Sequence, residues 1–363
     1  MEDRRPHRLA ALRAALRDRA CDAMLVTSLP NIRYLTGFSG SAALLVVFAD
    51  AASVLITDFR YAVQVVEEVG DHAVVRIEPT SLWTGLRDVL AAASHGQVLA
   101  FESTHVLFSD YGRFAGLTGR WQCRANAGLV ETLRERKDAG ELALIREAVR
   151  IAESALERTI AQVRVGQTER QVAGILEHHL RDLGSDATPF ETIVASGPRA
   201  ALPHARASTR ALEAGEFLLI DFGASFGGYC SDITRTFALK SVKPEMQLIH
   251  DVVREATLSA SAAVRAGMRG RDADAIARDY IESRGFGELF GHSLGHGIGL
   301  EVHEGPRLAR TADAPLPLGA VVTIEPGIYK PGWGGVRIED DVYLAEDGPA
   351  VLTSFPRDLL VIG

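Results

Sequence analysis

Five ionisable residues break the apolar runs of the C-terminal part of the chain, and they constrain its fold more than any other feature. Asp221 stands in FLLIDFGASFGGYCSDITRTF together with Asp232, His296 in GHSLGHGIGLEVHEGP, Glu325 in VVTIEPGIY and Glu339 in GVRIEDDV. A charge that ends or interrupts an apolar run must be paired, solvated or coordinated. Carboxylates carried into one interior repel one another unless cations lie among them. Four carboxylates and one imidazole are a ligand set for two divalent cations. The chain is therefore expected to fold around a metal centre and to use it for hydrolysis.

The neighbourhoods of these residues suggest how they meet. Phe217–Phe222 has a strand pattern carrying Asp221, and Ser231–Phe237 has another carrying Asp232, with the small residues of GASFGG between them. Such a stretch suits a hairpin or bulged connection, which brings both aspartates within reach of one site. A lone aspartate at a strand end is more often a turn or cap residue, a reading that two facing aspartates weaken. Ile233 and Arg235 alternate with Thr234, so this strand has one lined and one packed face. Arg337 and Glu339 are two apart and share a strand face, with Val336, Ile338 and Val342 on the packed side. Glu325 closes the strand pattern 320–324 just before Pro326-Gly327. His292, His296 and His303 cluster in one segment, and His204 stands in LPHARAS. Glycines 291, 295, 297 and 299 forbid a regular helix there and permit close backbone approach. The histidine spacing is not that of the H-E-x-x-H zinc helix. Hard, carboxylate-rich ligation favours manganese, with cobalt and zinc also suited.

At 363 residues the chain exceeds the usual single-domain size. Residues 1–126 alternate strand patterns (23–27, 43–48 and 53–57) with helical ones (59–68 and 82–93), as in a small α/β domain. RRPHRLAALRAALRDR reads as a surface helix with Leu9, Leu12 and Leu16 on one face. Its arginines also suit a transit peptide, but the pattern runs straight into a strand. NIRYLTGFSGS is expected to be a polar, aromatic loop: either a plain connection or a cleft wall on this subunit or a partner. Residues 127–139 form the passage to a second domain, 140–363, which opens on a long amphipathic helix. Within that domain the glycines at 166 and 184 recur at 267 and 285, each pair flanking a helical pattern. Two similar helices by chance, or an α/β half built twice with a cavity at the junction, both account for this.

Thirty-nine basic against 47 acidic residues give a net charge of -8, which argues against a nucleic-acid surface. Cys21, Cys123 and Cys230 are widely spaced and suggest no disulfide framework, so a reducing cytoplasm is expected. No window reaches the roughly 18 apolar residues of a membrane span.

Taken together, these segments resemble the metal-dependent peptidases of the methionine aminopeptidase, aminopeptidase P and prolidase superfamily. The resemblance covers residues 140–355 and extends to the N-terminal domain through NIRYLTGFSGS and VLITDFRY. It implies an α/β (α+β) protein with a pita-bread catalytic domain behind a smaller α/β domain. The family's ligand positions fall on Asp221, Asp232, His296, Glu325 and Glu339, with none missing; creatinase shares the fold and lacks this set. Two divalent cations are implied, with Asp232 and Glu339 bridging them, Asp221 on one, and His296 and Glu325 on the other. Glu325 would receive the proton of the attacking water. His204 and His303 are implied as catalytic and substrate-binding groups, His292 as a lining of the proline subsite, and Arg337 as a carboxylate anchor or an orienting partner of Glu339. Within the superfamily the match is to the Xaa-Pro peptidases, so proline-containing peptides are the implied substrates and a homodimer the implied assembly. The expected activity is release of the residue before a penultimate proline. A dipeptidase restricted to Xaa-Pro, an aminopeptidase of other specificity and a non-enzymatic binding module are the alternatives. A dipeptidase needs a group that reads the proline carboxylate; Arg33 and Arg60 are candidates.

Overall fold

The computed structural model describes residues 3–363. The chain divides into two compact units, Met1–Arg134 and Glu135–Gly363.

The first unit opens with α1 (Arg5–Asp18), whose Leu9, Leu12 and Leu16 are buried. Its six strands are β1 (Ala23–Val26), β2 (Ala43–Phe48), β3 (Val54–Thr57), β4 (Val74–Ile77), β5 (Val98–Glu102) and β6 (Gln122–Asn126). They form one sheet in the order β4-β3-β2-β1-β5-β6. The NIRYLT part of the expected loop is instead helical, within α2 (Leu29–Thr36). A proline in the first turn starts this helix, and Gly37, left-handed at φ 85°, stops it. The expected helix at 59–68 splits into a 3-10 turn, Phe59–Tyr61, and α3 (Gln64–Val69). Asp58 caps the turn by accepting from the Arg60 amide. Helices α4 (Leu82–Ala92), α5 (Phe108–Ala115) and α6 (Leu129–Arg134) complete the unit, the last within the stretch read as a passage.

The second unit begins with α7 (Ala139–Ile160), started by a reciprocal cap between Asp138 and Glu141. The paired glycines each bound a helix, in the same arrangement twice. Helix α8 (Glu169–Asp182) follows left-handed Gly166 and precedes left-handed Gly184. After α9 (Pro244–Ala263), α10 (Gly270–Ser283) stands in the same way between Gly267 and Gly285. Gly166 N donates to Leu212 O at 2.9 Å, and Gly267 N to Leu316 O at 2.8 Å.

The strands of this unit are β7 (Ile193–Ser196), β8 (Phe217–Phe222), β9 (Ser225–Phe226), β10 (Tyr229–Cys230), β11 (Ile233–Leu239), β12 (Gly295–Gly297), β13 (Glu304–Leu308), β14 (Val321–Ile324), β15 (Gly327–Lys330), β16 (Gly334–Arg337), β17 (Asp340–Ala345), β18 (Gly348–Val351) and β19 (Val361–Ile362). One sheet runs β19-β11-β8-β7 and another β13-β12-β14-β17-β18, while β15 and β16 pair as a ribbon. Strand β8 is buried on both faces. Leu218, Ile220 and Phe222 pack in the core of α7 and α8, and Phe217 and Leu219 in that of α9 and α10. Asp221 shares the parity of the second set. No helix among the described residues is long and apolar enough to cross a membrane.

Candidate active site

Strands β8 and β11 are antiparallel, with Thr234 opposite Asp221. The turn between β9 and β10 uses Gly227 and Gly228, both left-handed at φ 57° and 83°, as a two-residue hairpin requires. Asp232 lies one residue before β11 rather than inside it, because its amide donates to Asp341 Oδ2 at 3.1 Å and not to the ladder. Glu339 likewise lies one residue before β17, and β16 ends at Arg337. The expected single strand through Arg337 and Glu339 is thus broken, since the Glu339 amide turns to Thr234 O at 3.1 Å. Thr234 Oγ1 donates to Glu339 Oε2 at 2.6 Å. His296 sits in β12, where a side chain on Gly295 or Gly297 would come within 1.9 Å of the Thr323 or Gly305 carbonyl oxygen. Glu325 follows β14 directly.

Oxygen and nitrogen atoms of Asp232, His296 and Glu339 lie within 4.8 Å of one another. Glu325 Oε1 is 3.4 Å from His296 Nε2. Asp221 is held differently: its Oδ2 accepts from Arg337 Nη2. Nine of the residues singled out in the sequence, Asp221, Asp232, His296, Glu325, Glu339, His204, His292, His303 and Arg337, line one cavity of ≈ 820 Å³, whereas Arg33 and Arg60 are not in its lining. His204 and His303 are exposed at its rim.

Burial, reinforced by the neighbouring carboxylates, pushes Asp232 and Glu325 well above the ordinary carboxylate range and Glu339 up to about 8. Burial holds His296 and His292 down at about 4. Asp221 Oδ1 and Asp232 Oδ1 are buried without a hydrogen-bond partner among the described residues. Divalent cations fit this donor set, because they would neutralise clustered carboxylates and engage the orphaned oxygens.

Residues 143–346 match the model of metallopeptidase family M24, and residues 8–136 match that of the creatinase/prolidase N-terminal domain. The chain belongs to metallopeptidase family M24. It is a metal-dependent hydrolase by that membership, with the pita-bread catalytic domain of the family following a smaller α/β domain along the chain. It is 40% identical over 356 residues to an uncharacterized peptidase of Bacillus subtilis, covering 98% of this chain and 100% of that one. A solved Xaa-Pro dipeptidase from Bacillus anthracis superposes with a TM-score of 0.95 at 38% identity, covering 99% of this chain and 100% of its own. An X-Pro aminopeptidase from Thermotoga maritima superposes with a TM-score of 0.89 at 38% identity, covering 94% and 98%.

Four residues of this M24 site were not legible in the sequence. Tyr329, on β15, accepts from Arg337 Nη1 and hydrogen-bonds His292 Nε2, both at 2.8 Å. Its buried phenol is pushed up to about 12. Thr323 Oγ1 accepts from the His296 amide at 3.1 Å. Thr234 supports Glu339, as described. Arg307 lines the cavity, is exposed, and makes no side-chain ion pair or hydrogen bond among the described residues. The only early signal for Tyr329 was its place four residues after Glu325. Arg337 was expected to anchor a carboxylate or to orient Glu339. Its donors go to Asp221, Tyr329, Pro203 O and Thr234 Oγ1, so it orients Asp221 rather than Glu339.

Proposed function

We propose that this chain hydrolyses the peptide bond between a first residue and a following proline, acting on Xaa-Pro dipeptides ahead of longer peptides. The observation that carries the reading is the ring of buried carboxylates and His296 on a cavity with two exposed histidines at its rim. Asp221, Asp232, His296, Glu325 and Glu339 would hold two divalent cations, manganese first, with cobalt and zinc as alternatives. Bound there, the cations supply an acidified water and a polarised carbonyl.

The chain's own groups do the rest. Glu325, ionised beside bound cations and 3.4 Å from His296 Nε2, would accept the proton of the acidified water and pass it on. A bond to proline has a tertiary nitrogen that leaves well only when protonated, and His303 is free at the rim to relay that proton or to stabilise the developing oxyanion. His204 faces the same space and suits the carbonyl side. His292 has both ring nitrogens engaged, Nδ1 with Ser293 O and Nε2 with Tyr329, so it offers its ring as a wall for proline.

The dipeptide preference replaces the expectation of an aminopeptidase. Arg307 supports it as an unpaired cation in the cavity able to take a carboxylate. The full-length likeness to the Bacillus anthracis dipeptidase supports it as well. Residence in a reducing cytoplasm, consistent with three free cysteines, and assembly as a homodimer belong to the same proposal. Light scattering at the mass of two chains is the measurement for the latter. The function is tested by incubating the manganese-loaded protein with Ala-Pro and Ala-Ala. Rapid release of proline with little cleavage of Ala-Ala is the expected result. Equal cleavage of both would refute the proline reading.

A further inference from the structure

Behind the carboxylates, on the side away from the cavity, lies a second polar layer that the proposed chemistry does not use. Its centre is Arg235 on β11, 2% exposed. A guanidinium has five N–H donors in a fixed fork, and here the protein engages Nε and both terminal nitrogens. Nη1 donates to Thr234 O at 2.9 Å and to Glu339 O at 2.6 Å. Nη2 donates to Asp340 Oδ1 at 3.0 Å and to Phe355 O at 2.7 Å, and Nε to Pro356 O at 3.0 Å. Asp340 balances the charge and is itself held by Thr353 Oγ1 at 2.7 Å and Arg357 Nε at 2.5 Å. The C-terminal segment 353–357 therefore lies as a strap across the back of the site. Its outer side is tied to α7, where Glu153 accepts from the Ser354 hydroxyl at 2.7 Å and the Phe355 amide at 2.6 Å.

The geometry has a particular consequence. Asp232 and Glu339 each stand one residue ahead of their strands, so no ladder bond within β11 or β17 fixes the distance between them. That distance depends on the cross-connections between the two segments, among them Asp232 N to Asp341, Glu339 N to Thr234 O, Thr234 Oγ1 to Glu339 Oε2, and the Arg235 fork that grips the carbonyls of Thr234 and Glu339 together. Only the last is a side chain that reaches both ligand-bearing segments and the strap at once.

We infer that Arg235, braced by the segment 353–357, is a positioning residue that sets the separation of Asp232 and Glu339 and thereby the affinity for divalent cations. The inference rests on the metal-binding reading above. Lysine keeps the charge opposite Asp340 but has one nitrogen, so it cannot hold Glu339 O, Phe355 O and Pro356 O together.

Manganese titration calorimetry of the metal-free protein tests this without any assay of turnover. Arg235→Lys is expected to bind manganese about 10- to 100-fold more weakly, the usual cost of losing an outer partner of a metal ligand, with the far-ultraviolet circular dichroism of the wild type retained. Glu153→Gln loosens the strap from its outer side, at a residue hydrogen-bonded to Ser354 and Phe355 and to none of the candidate ligands, and is expected to weaken manganese binding by a smaller factor in the same direction. Wild-type affinity in a folded Arg235→Lys protein would overturn the inference. If that variant does not fold, wild-type affinity in Glu153→Gln would overturn it instead. A wild-type protein that binds no manganese at all would overturn the metal-binding reading itself.

Discussion

His296 Nε2 faces Glu325 Oε1 across 3.4 Å, and the two atoms meet as acceptors. His296 Nδ1 lies 3.1 Å from Gly297 O, which places the ring proton on Nδ1 and leaves a lone pair on Nε2. Two acceptors in a buried site repel unless a proton or a cation lies between them. The metal-free protein meets this demand with protons, as the raised carboxylates indicate. A cation meets it with the carboxylates ionised.

That difference has a definite pH signature. Glu339 rises from the ordinary 4.5 to about 8 in the fold, so between those values the native state binds more protons than the unfolded chain. Stability contributed by such a group falls as pH rises through this window. His292 and His296, lowered from 6.5 to about 4, act oppositely, but only below about 6.5. The melting temperature of metal-free protein is therefore expected to fall from pH 6.5 to pH 8. The increase in melting temperature on adding manganese should be larger at pH 8, because the cation displaces protons at pH 6.5. Differential scanning calorimetry in both states checks this. A gain from manganese that shrinks with rising pH would contradict it.

Asp232 is the next test, because its burial and its carboxylate neighbours make it costly without metal and central with it. Asp232→Asn should reduce manganese-dependent turnover to background and lower the metal content measured by plasma mass spectrometry. In metal-free protein at pH 8 the same change should leave the melting temperature unchanged or raised, since a neutral amide replaces a carboxylate among like charges. A marked fall in that melting temperature would show that Asp232 has a structural duty independent of cations.

The candidate ligand residues were legible because burying a charge is costly, and a charge that ends an apolar run advertises itself. The two like-placed helices were legible because left-handed glycines bound each of them, which leaves pairs such as Gly166 with Gly184 and Gly267 with Gly285. Helix α2 was misread because the polar and aromatic character of NIRYLT outweighed the stop and start signals on either side. The supporting residues were beyond reach for another reason. Thr234 meets Glu339 across 105 positions and Arg337 meets Asp221 across 116, so their roles exist only once the halves are folded together. A threonine or an arginine in a strand carries no local mark of such a partner.

His303 stands apart from the ligands in its exposure, with its ring 4.3 Å from that of His296. Replacing His303 by alanine is expected to lower kcat by about 100-fold, the usual worth of a general acid or an oxyanion donor. Bound manganese should be unchanged. Unaltered kcat with a raised KM would make His303 a binding wall and nothing more.

Arg307 is the residue proposed to set the preferred substrate length. A dipeptide presents its proline carboxylate inside the cleft, whereas a longer peptide presents an amide there. A charge-assisted hydrogen bond to that carboxylate contributes roughly 1.5–3 kcal/mol, or about 10- to 100-fold in kcat/KM. The wild type is therefore expected to cleave Ala-Pro faster than Ala-Pro-Ala and Ala-Pro-amide by a factor of that order. Arg307→Ala should lose most of the advantage by slowing the dipeptide alone, since the amides never used the guanidinium. Arg307→Lys should retain part of it, because a single cation still meets the carboxylate without the fork. Comparison of kcat/KM for the three substrates across the three proteins separates the possibilities. Equal rates on all three substrates in the wild type, unchanged in Arg307→Ala, would return the chain to the aminopeptidase reading.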